Sequence, residues 1–340
     1  MDKKIAVLGT GGIGSSVGAD LTKAGYDVVL IDQWPAHVEA MKADGLRVTM
    51  PDEDLHTPVR AYHLCEVHSL NQQFDIVLLA VKSYDSCWMA EFIKPYLKPN
   101  GVAVSVQNSL NDEWIAPIVG IARDIGCVVQ LGAEVFTPGV VRRNTTRKAS
   151  WFGLGELHGR ITPRLRELEK IMSCVARTST TTNIWGAKWT KLINSSMMLA
   201  PPGILGLNAW EAAEPGVFDL CIKLGRETTA VGAALGYVME TNFGLTSAEF
   251  TGTTDEVLEK NIRSIVNFVG KNTRGVVLQD HLKGRPSEVD YLNGLVVKKG
   301  KEANVPTPYN EAITEIARQI QLGTLKPDRS NLALVETMIR

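Results

Sequence analysis

Residues 4–32 read KIAVLGTGGIGSSVGADLTKAGYDVVLID, and the order of features in this stretch decides the fold. Lys4–Leu8 is a short apolar run of the kind that forms a fully buried strand. Gly9-Thr10-Gly11-Gly12-Ile13-Gly14 then satisfies GxGxxG, Ile13–Ala24 has a helical pattern, and Asp27–Asp32 is a second buried strand ending on a carboxylate. A glycine-rich turn alone is a weak signal. One that leaves a buried strand, opens a helix and is trailed by an acid at the next strand end is the dinucleotide-binding fingerprint. Gly9 is expected to permit the tight turn, Gly11 to let the backbone approach a pyrophosphate, and Gly14 to let the helix pack on the strand. The helix start at Gly12, Ile13 and Gly14 offers free N–H groups and a positive dipole end to the phosphates.

Asp32 is expected to accept hydrogen bonds from the adenosine ribose hydroxyls, where a 2′-phosphate would meet like-charge repulsion. No arginine follows at once, since Gln33, Trp34 and Pro35 come next. NAD(H) is therefore the expected cofactor, ahead of NADP(H). The plainer reading, a strand-end aspartate capping the following helix, stays open.

Working outward, strand-like and helix-like segments alternate, the sign of βαβ units around a parallel sheet. Phe74–Val81 and Val102–Gln107 read as central strands, each followed by a helical stretch, and a further helix begins near Pro35. Cys127–Leu131 and Ala149–Gly153 read as later strands, antiparallel at the sheet edge. From Trp185 the period changes, and Trp185–Leu199, Val217–Leu235, Thr254–Val269, Pro286–Glu302 and Pro308–Leu322 all read as helices. The expected fold is α/β: a Rossmann-type doubly wound parallel sheet over residues 1–183, then an all-α substrate and dimerisation domain over 184–340.

Composition narrows the class. The 340 residues carry a formal net charge of −1, which argues against a nucleic-acid footprint. No apolar run approaches the roughly 18 residues of a membrane span, and the first apolar run is too short for a signal-peptide core. The 5 cysteines are scattered without a CxxC pair, and the 6 histidines show no HExxH spacing. Reduced thiols, a cytoplasmic location and no metal site are expected.

Three segments suggest chemistry. Val81-Lys82-Ser83-Tyr84 and Gln107-Asn108-Ser109-Leu110-Asn111 follow central strands, where ligands of open parallel sheets bind. The third is Lys188-Trp189-Thr190-Lys191-Leu192-Ile193-Asn194-Ser195. At helical spacing, Trp189, Leu192, Ile193 and Met197 share an apolar face, while Lys191, Asn194, Ser195 and Met198 share another.

With these motifs, and with Gln279-Asp280, Gly284-Arg285 and Ser287-Glu288-Val289-Asp290-Tyr291-Leu292-Asn293-Gly294 near the end, the chain resembles the ketopantoate reductase family along essentially its whole length. The resemblance implies that Lys191, in Trp189–Leu192 (WxKL), is the general acid that protonates a carbonyl oxygen as hydride reaches carbon. It places Glu288 on a substrate hydroxyl, Asn108 near the nicotinamide, and Lys82 beside the cofactor. A small 2-keto or 2-hydroxy acid is the implied substrate, and the apolar helical half suits a homodimer.

The departures cluster around the substrate. Ser109 stands where the family usually has glycine, and Ser195 where it has asparagine, with Asn194 one place earlier. The family's serine-containing stretch reads Thr273-Arg274-Gly275-Val276-Val277, in which Arg274 is a candidate carboxylate clamp. A lysine on a helix is ordinarily solvated, and Lys188, one turn earlier, competes with Lys191 for the catalytic role. Two other readings stay open: a β-hydroxyacid or opine-type dehydrogenase, and a non-catalytic NAD-binding sensor.

Overall fold

A computed structural model describes residues 3–240, 254–270 and 272–339. The chain divides into two compact units, Met1–Ile184 and Trp185–Arg340. The first contains the strands β1 (Lys4–Leu8), β2 (Asp27–Asp32), β3 (Leu46–Thr49), β4 (Asp54–Thr57), β5 (Ala61–His63), β6 (Phe74–Leu79), β7 (Leu97–Val106), β8 (Asp124–Gln130), β9 (Ala133–Thr137), β10 (Val140–Arg143), β11 (Trp151–Glu156) and β12 (Arg177–Thr180). Its helices are α1 (Gly12–Lys23), α2 (Pro35–Asp44), α3 (Ser86–Ile93), α4 (Asp112–Val119) and α5 (Pro163–Met172).

Eight strands form the main sheet in the order β12-β11-β8-β7-β6-β1-β2-β5. No residue from Ile5 to Leu8 or from Val28 to Ile31 exceeds 3% exposure, as strands covered on both faces require. From β5 across to β8 every pairing is parallel. The expected antiparallel step falls between β8 and β11. It lies inside the sheet, however, because β12, absent from the sequence reading, adds a further parallel strand at the edge. β1 has β2 on one side and β6 on the other, so the strand order reverses there, and the glycine turn leaves the sheet at this switch point.

A second sheet, in the order β4-β3-β10-β9, was not legible in the sequence. Its strands are four or five residues long, and β3, β4 and β10 alternate buried with less buried positions. It backs α1. A Cβ on Gly12 would stand 2.7 Å from the carbonyl carbon of Ala133. Asp20 of α1, itself buried, meets Arg143 at 2.8 Å and Arg147 at 2.6 Å. Burial still pushes the Asp20 carboxyl above its ordinary range, outweighing both arginines.

The second unit is helical among the described residues: α6 (Ile184–Met198), α7 (Ala200–Leu205), α8 (Pro215–Ala234), α9 (Thr254–Val269), α10 (Val276–Leu282), α11 (Asn293–Ala303), α12 (Pro308–Gln321) and α13 (Asn331–Ile339). α6 is seated on α8 through two glycines one heptad apart. A Cβ on Gly232 would lie 2.0 Å from Trp189 Nε1, and one on Gly225 would lie 2.4 Å from Met197 Sδ. Trp189 also donates to the Thr228 carbonyl at 3.1 Å and stacks on Tyr237 at 4.5 Å.

One expected helix is shorter than its sequence pattern. Pro286–Glu302 does not run as a single helix; a 3₁₀ turn at Val289–Tyr291 comes first, Leu292 leaves helical geometry (φ −109°, ψ −92°), and α11 starts at Asn293. The buried Asn293 amide pins that start, donating to the Ser196 carbonyl at 3.1 Å and to Asn310 Oδ1 at 2.9 Å. Tertiary hydrogen bonding has overridden local periodicity here. Glu288 and Asp290 accordingly lie ahead of the helix and not in its first turn.

Candidate functional site

In the first unit the glycine turn divides its tasks by position. Gly9 has φ +90°, and a Cβ there would lie 2.6 Å from Val81 Cγ1, so only glycine fits. A Cβ on Gly14 would stand 1.9 Å from the Gly9 carbonyl oxygen and 3.1 Å from Ala80 Cβ. Among the described residues a Cβ on Gly11 would meet nothing within 4 Å. Gly11 is thus glycine without a packing reason among the described residues. Gly11 also caps α1 without a side-chain hydrogen bond, which leaves the first-turn N–H groups facing that space. The residues fit a dinucleotide phosphate in size, polarity and dipole.

Asp32, half-buried, is held from two sides. Thr10 donates its backbone N–H (2.5 Å) and its hydroxyl (2.9 Å) to Oδ2, and the Trp34 N–H donates to Oδ1 at 2.8 Å. The last bond shows the plainer expectation in part: Asp32 does tie down the backbone just before α2. A carboxylate has about four acceptor positions, so capacity for a ribose hydroxyl remains. Beneath it His37 is fully buried, accepting the Gly139 N–H on Nδ1 at 2.9 Å. That assigns the proton to Nε2, which faces Ser15 Oγ at 3.2 Å, and Ser15 in turn donates to the Thr10 carbonyl at 2.6 Å. Thr10, Ser15 and His37 thus brace Asp32. Nothing in their spacing announces this, because His37 reaches β10's approach loop across about a hundred residues.

The loops after β6 and β7 are joined into one network. Gln107 Nε2 donates to the Val81 carbonyl at 2.8 Å and to Ser86 Oγ at 2.7 Å. Ser86 donates to Asn111 Oδ1 at 2.9 Å, and Asn111 Nδ2 reaches Ser83 Oγ at 3.1 Å and the Asn108 carbonyl at 2.6 Å. This places Lys82, which begins the turn after β6, and Asn108, both half-buried, on a shared rigid frame. Ser86 is a frame residue outside the strand-end motifs, and Asn111 gains its role only here.

Ser109 carries a measurable strain. Its φ is +73°, the left-handed region, at the position where the sequence departs from glycine. Ser109→Gly is expected to exceed Ser109→Ala in stability by about 1 kcal/mol, since both lose the hydroxyl and only glycine loses the Cβ clash. Equal urea midpoints for the two variants would show that no strain resides there.

In the second unit two segments, around Asn293 and Gly275, meet the end of α6 and the residue after it. Asn293 reaches the Ser196 carbonyl, and Leu199 packs 3.6 Å from where a Gly275 Cβ would be. Lys191 is half-buried, and burial pushes its ammonium from 10.5 down to about 8. The competing Lys188 is only 2% exposed, among the least accessible large side chains of the fold. Asn194 and Ser195 are also buried, so the helix has no solvated face along this stretch. The Ser195 hydroxyl is buried without a hydrogen-bond partner among the described residues. Glu288 is 4% exposed, and Arg274 is half-buried just ahead of α10. Asp280, fully buried, is engaged by Arg285 at 2.7 Å. Burial lowers the His281 imidazole below its ordinary range.

The comparisons with known proteins agree with this arrangement. A model described as ketopantoate reductase PanE/ApbA matches residues 5–156, and its C-terminal counterpart matches residues 183–321. The chain belongs to the ketopantoate reductase family. It is thereby an oxidoreductase with a place for a nicotinamide cofactor. It is 28% identical to a 2-dehydropantoate 2-reductase of Pyrococcus abyssi, covering 90% of this chain and 94% of that one. A Lactococcus lactis 2-dehydropantoate 2-reductase is 26% identical over 92% and 96% of the two chains. A crystal structure of a family member from Ralstonia eutropha JMP134 superposes with a TM-score of 0.78 at 27% identity, over 94% of this chain and 99% of that one. D-mandelate dehydrogenase, solved with NADH and anilino(oxo)acetate, shares the fold at a TM-score of 0.81 and 22% identity, over 94% and 99% of the two chains.

Among the described residues no cluster of histidine, cysteine and acidic side chains suits a metal ion, and no helix is long and apolar enough to cross a membrane.

Proposed function

We propose that this family member moves hydride between NAD(H) and a small 2-keto or 2-hydroxy acid, with Lys191 as general acid. The observation that carries the reading is the place of Lys191, half-buried on α6 among the buried Lys188, Asn194 and Ser195, where burial lowers its ammonium to about 8. An acid near neutrality holds its proton at pH 7 and still releases it readily. When bound, the dinucleotide supplies or accepts the hydride. Lys191 Nζ then stabilises the oxyanion that develops on the substrate carbonyl and gives it a proton. Glu288 accepts a hydrogen bond from a substrate hydroxyl, Asn108 orients the nicotinamide end, and Gly9 to Gly14 with Asp32 hold the adenosine end. The relatives named 2-dehydropantoate 2-reductase support ketopantoate as the first substrate to test. Ser195 and the Thr273–Val277 stretch argue for an altered acid, with Arg274 as its carboxylate clamp.

Oxidation of NADH and of NADPH by purified protein, each with ketopantoate, tests this. Brisk turnover with NADH supports both the chemistry and the role of Asp32. Turnover with NADPH alone keeps the chemistry and rejects the preference. Tight NADH binding without turnover moves the substrate to another 2-keto acid, to be found in a panel.

A further inference from the structure

β2 and β6 are the two neighbours of β1, so the residues leaving their ends stand on either side of the glycine turn. With neighbouring strands about 4.8 Å apart, those ends lie roughly 10 Å from each other. Side chains bridge this gap. Gln33, next to Asp32, donates its amide to Asp85 Oδ2 at 3.1 Å, and the Trp88 indole N–H donates to Asp85 Oδ1 at 2.7 Å. The adenosine end of the turn therefore has two fixed carboxylates, Asp32 and Asp85, held by neutral donors.

We propose that Asp85 is a second specificity-determining residue, which acts with Asp32 against a 2′-phosphate. The inference rests on the reading of Asp32 as the ribose residue. A 2′-phosphate adds about −1.5 to −2 charges at neutral pH. Near two carboxylates whose partners bring no positive charge, that addition is repelled twice. The bridge has a second effect: an arginine introduced at position 33 to welcome the phosphate inherits Asp85 as an ion-pair partner. The usual exchange at the end of β2 is then neutralised from the neighbouring loop.

The test is dissociation constants for NADH and NADPH, read by protein fluorescence without turnover. The proteins are the wild type, Asp85→Asn, Asp32→Ala/Gln33→Arg, and the latter with Asp85→Asn added. Asparagine keeps the shape and an acceptor oxygen for Trp88, and Lys82 stays constant across the set. The wild type should favour NADH. Asp85→Asn should move the NADPH-to-NADH ratio toward NADPH by roughly three- to tenfold. That shift should shrink at about 0.5 M salt, as a charge effect must. In the arginine background the same change should have the larger effect. A wild type that prefers NADH while Asp85→Asn leaves the ratio within about twofold overturns the role of Asp85 and leaves the Asp32 reading standing. Equal weakening of both cofactors, reproduced by Asp85→Ser, makes Asp85 structural and also overturns it. A wild type that binds NADPH as tightly as NADH overturns both.

Discussion

Lys191→Met is expected to lower kcat by roughly 10²–10⁴ while leaving NADH affinity nearly intact. A loss below about tenfold would transfer the acid role to another group. The same substitution should make the protein more stable at pH 7. Burial places the Lys191 ammonium near 8 in the folded chain against 10.5 ordinarily, so between those values the unfolded chain binds the extra proton. Stability therefore rises with pH across that window, and the full penalty for burying the charge is present below it. Methionine removes that penalty, worth about 1–3 kcal/mol once the partial exposure of the side chain is allowed for. Lost turnover with a raised melting temperature is a combination that damage to the fold cannot produce. The pH dependence follows the same sign. Carbonyl reduction needs the ammonium and should fall as pH rises through about 8, whereas alcohol oxidation needs the free amine and should rise there.

Gly11→Ala and Gly14→Ala should fail in opposite ways. At Gly11 the added methyl meets nothing within 4 Å among the described residues, and its backbone (φ −65°, ψ −165°) suits any residue. The variant should melt with the wild type yet bind NADH at least about tenfold more weakly, because the methyl takes space that the phosphate needs. At Gly14 the methyl would lie 1.9 Å from the Gly9 carbonyl oxygen, so α1 must be driven off the sheet. A melting temperature lowered along with lost binding is expected, at a cost on the order of 1–3 kcal/mol or more. Unweakened NADH binding by Gly11→Ala would remove the pyrophosphate from this turn.

What could be read from the sequence was what repeats locally. β1, the glycine turn and β2 were legible because buried parallel strands are continuous apolar runs and the turn needs glycine. Lys191, Glu288 and Asn108 are candidates through family motifs alone, since no periodicity distinguishes a half-buried lysine from a solvated one. The small sheet was not legible, because strands of four residues give too short a period-2 pattern. The start of α11 was misread because the bonds of Asn293 to Ser196 and Asn310 lie elsewhere in the chain. The bracing of Asp32 by Thr10, Ser15 and His37 was hidden for the same reason. Asp85 was hidden as well, its partners Gln33 and Trp88 being recognisable only once β2 and β6 flank β1.

The packing of α1 on the small sheet sets an order of events during synthesis. The glycine turn is complete within the first 14 residues, yet Gly12 rests against Ala133, and Asp20 is matched by Arg143. A nascent chain that has exposed only its first hundred residues carries the whole fingerprint without the surface that supports it. Contacts this distant in sequence close late and slowly. Competence to bind dinucleotide should therefore arrive in one step, when β9 and β10 emerge, and free cofactor should favour the finished unit over every shorter intermediate.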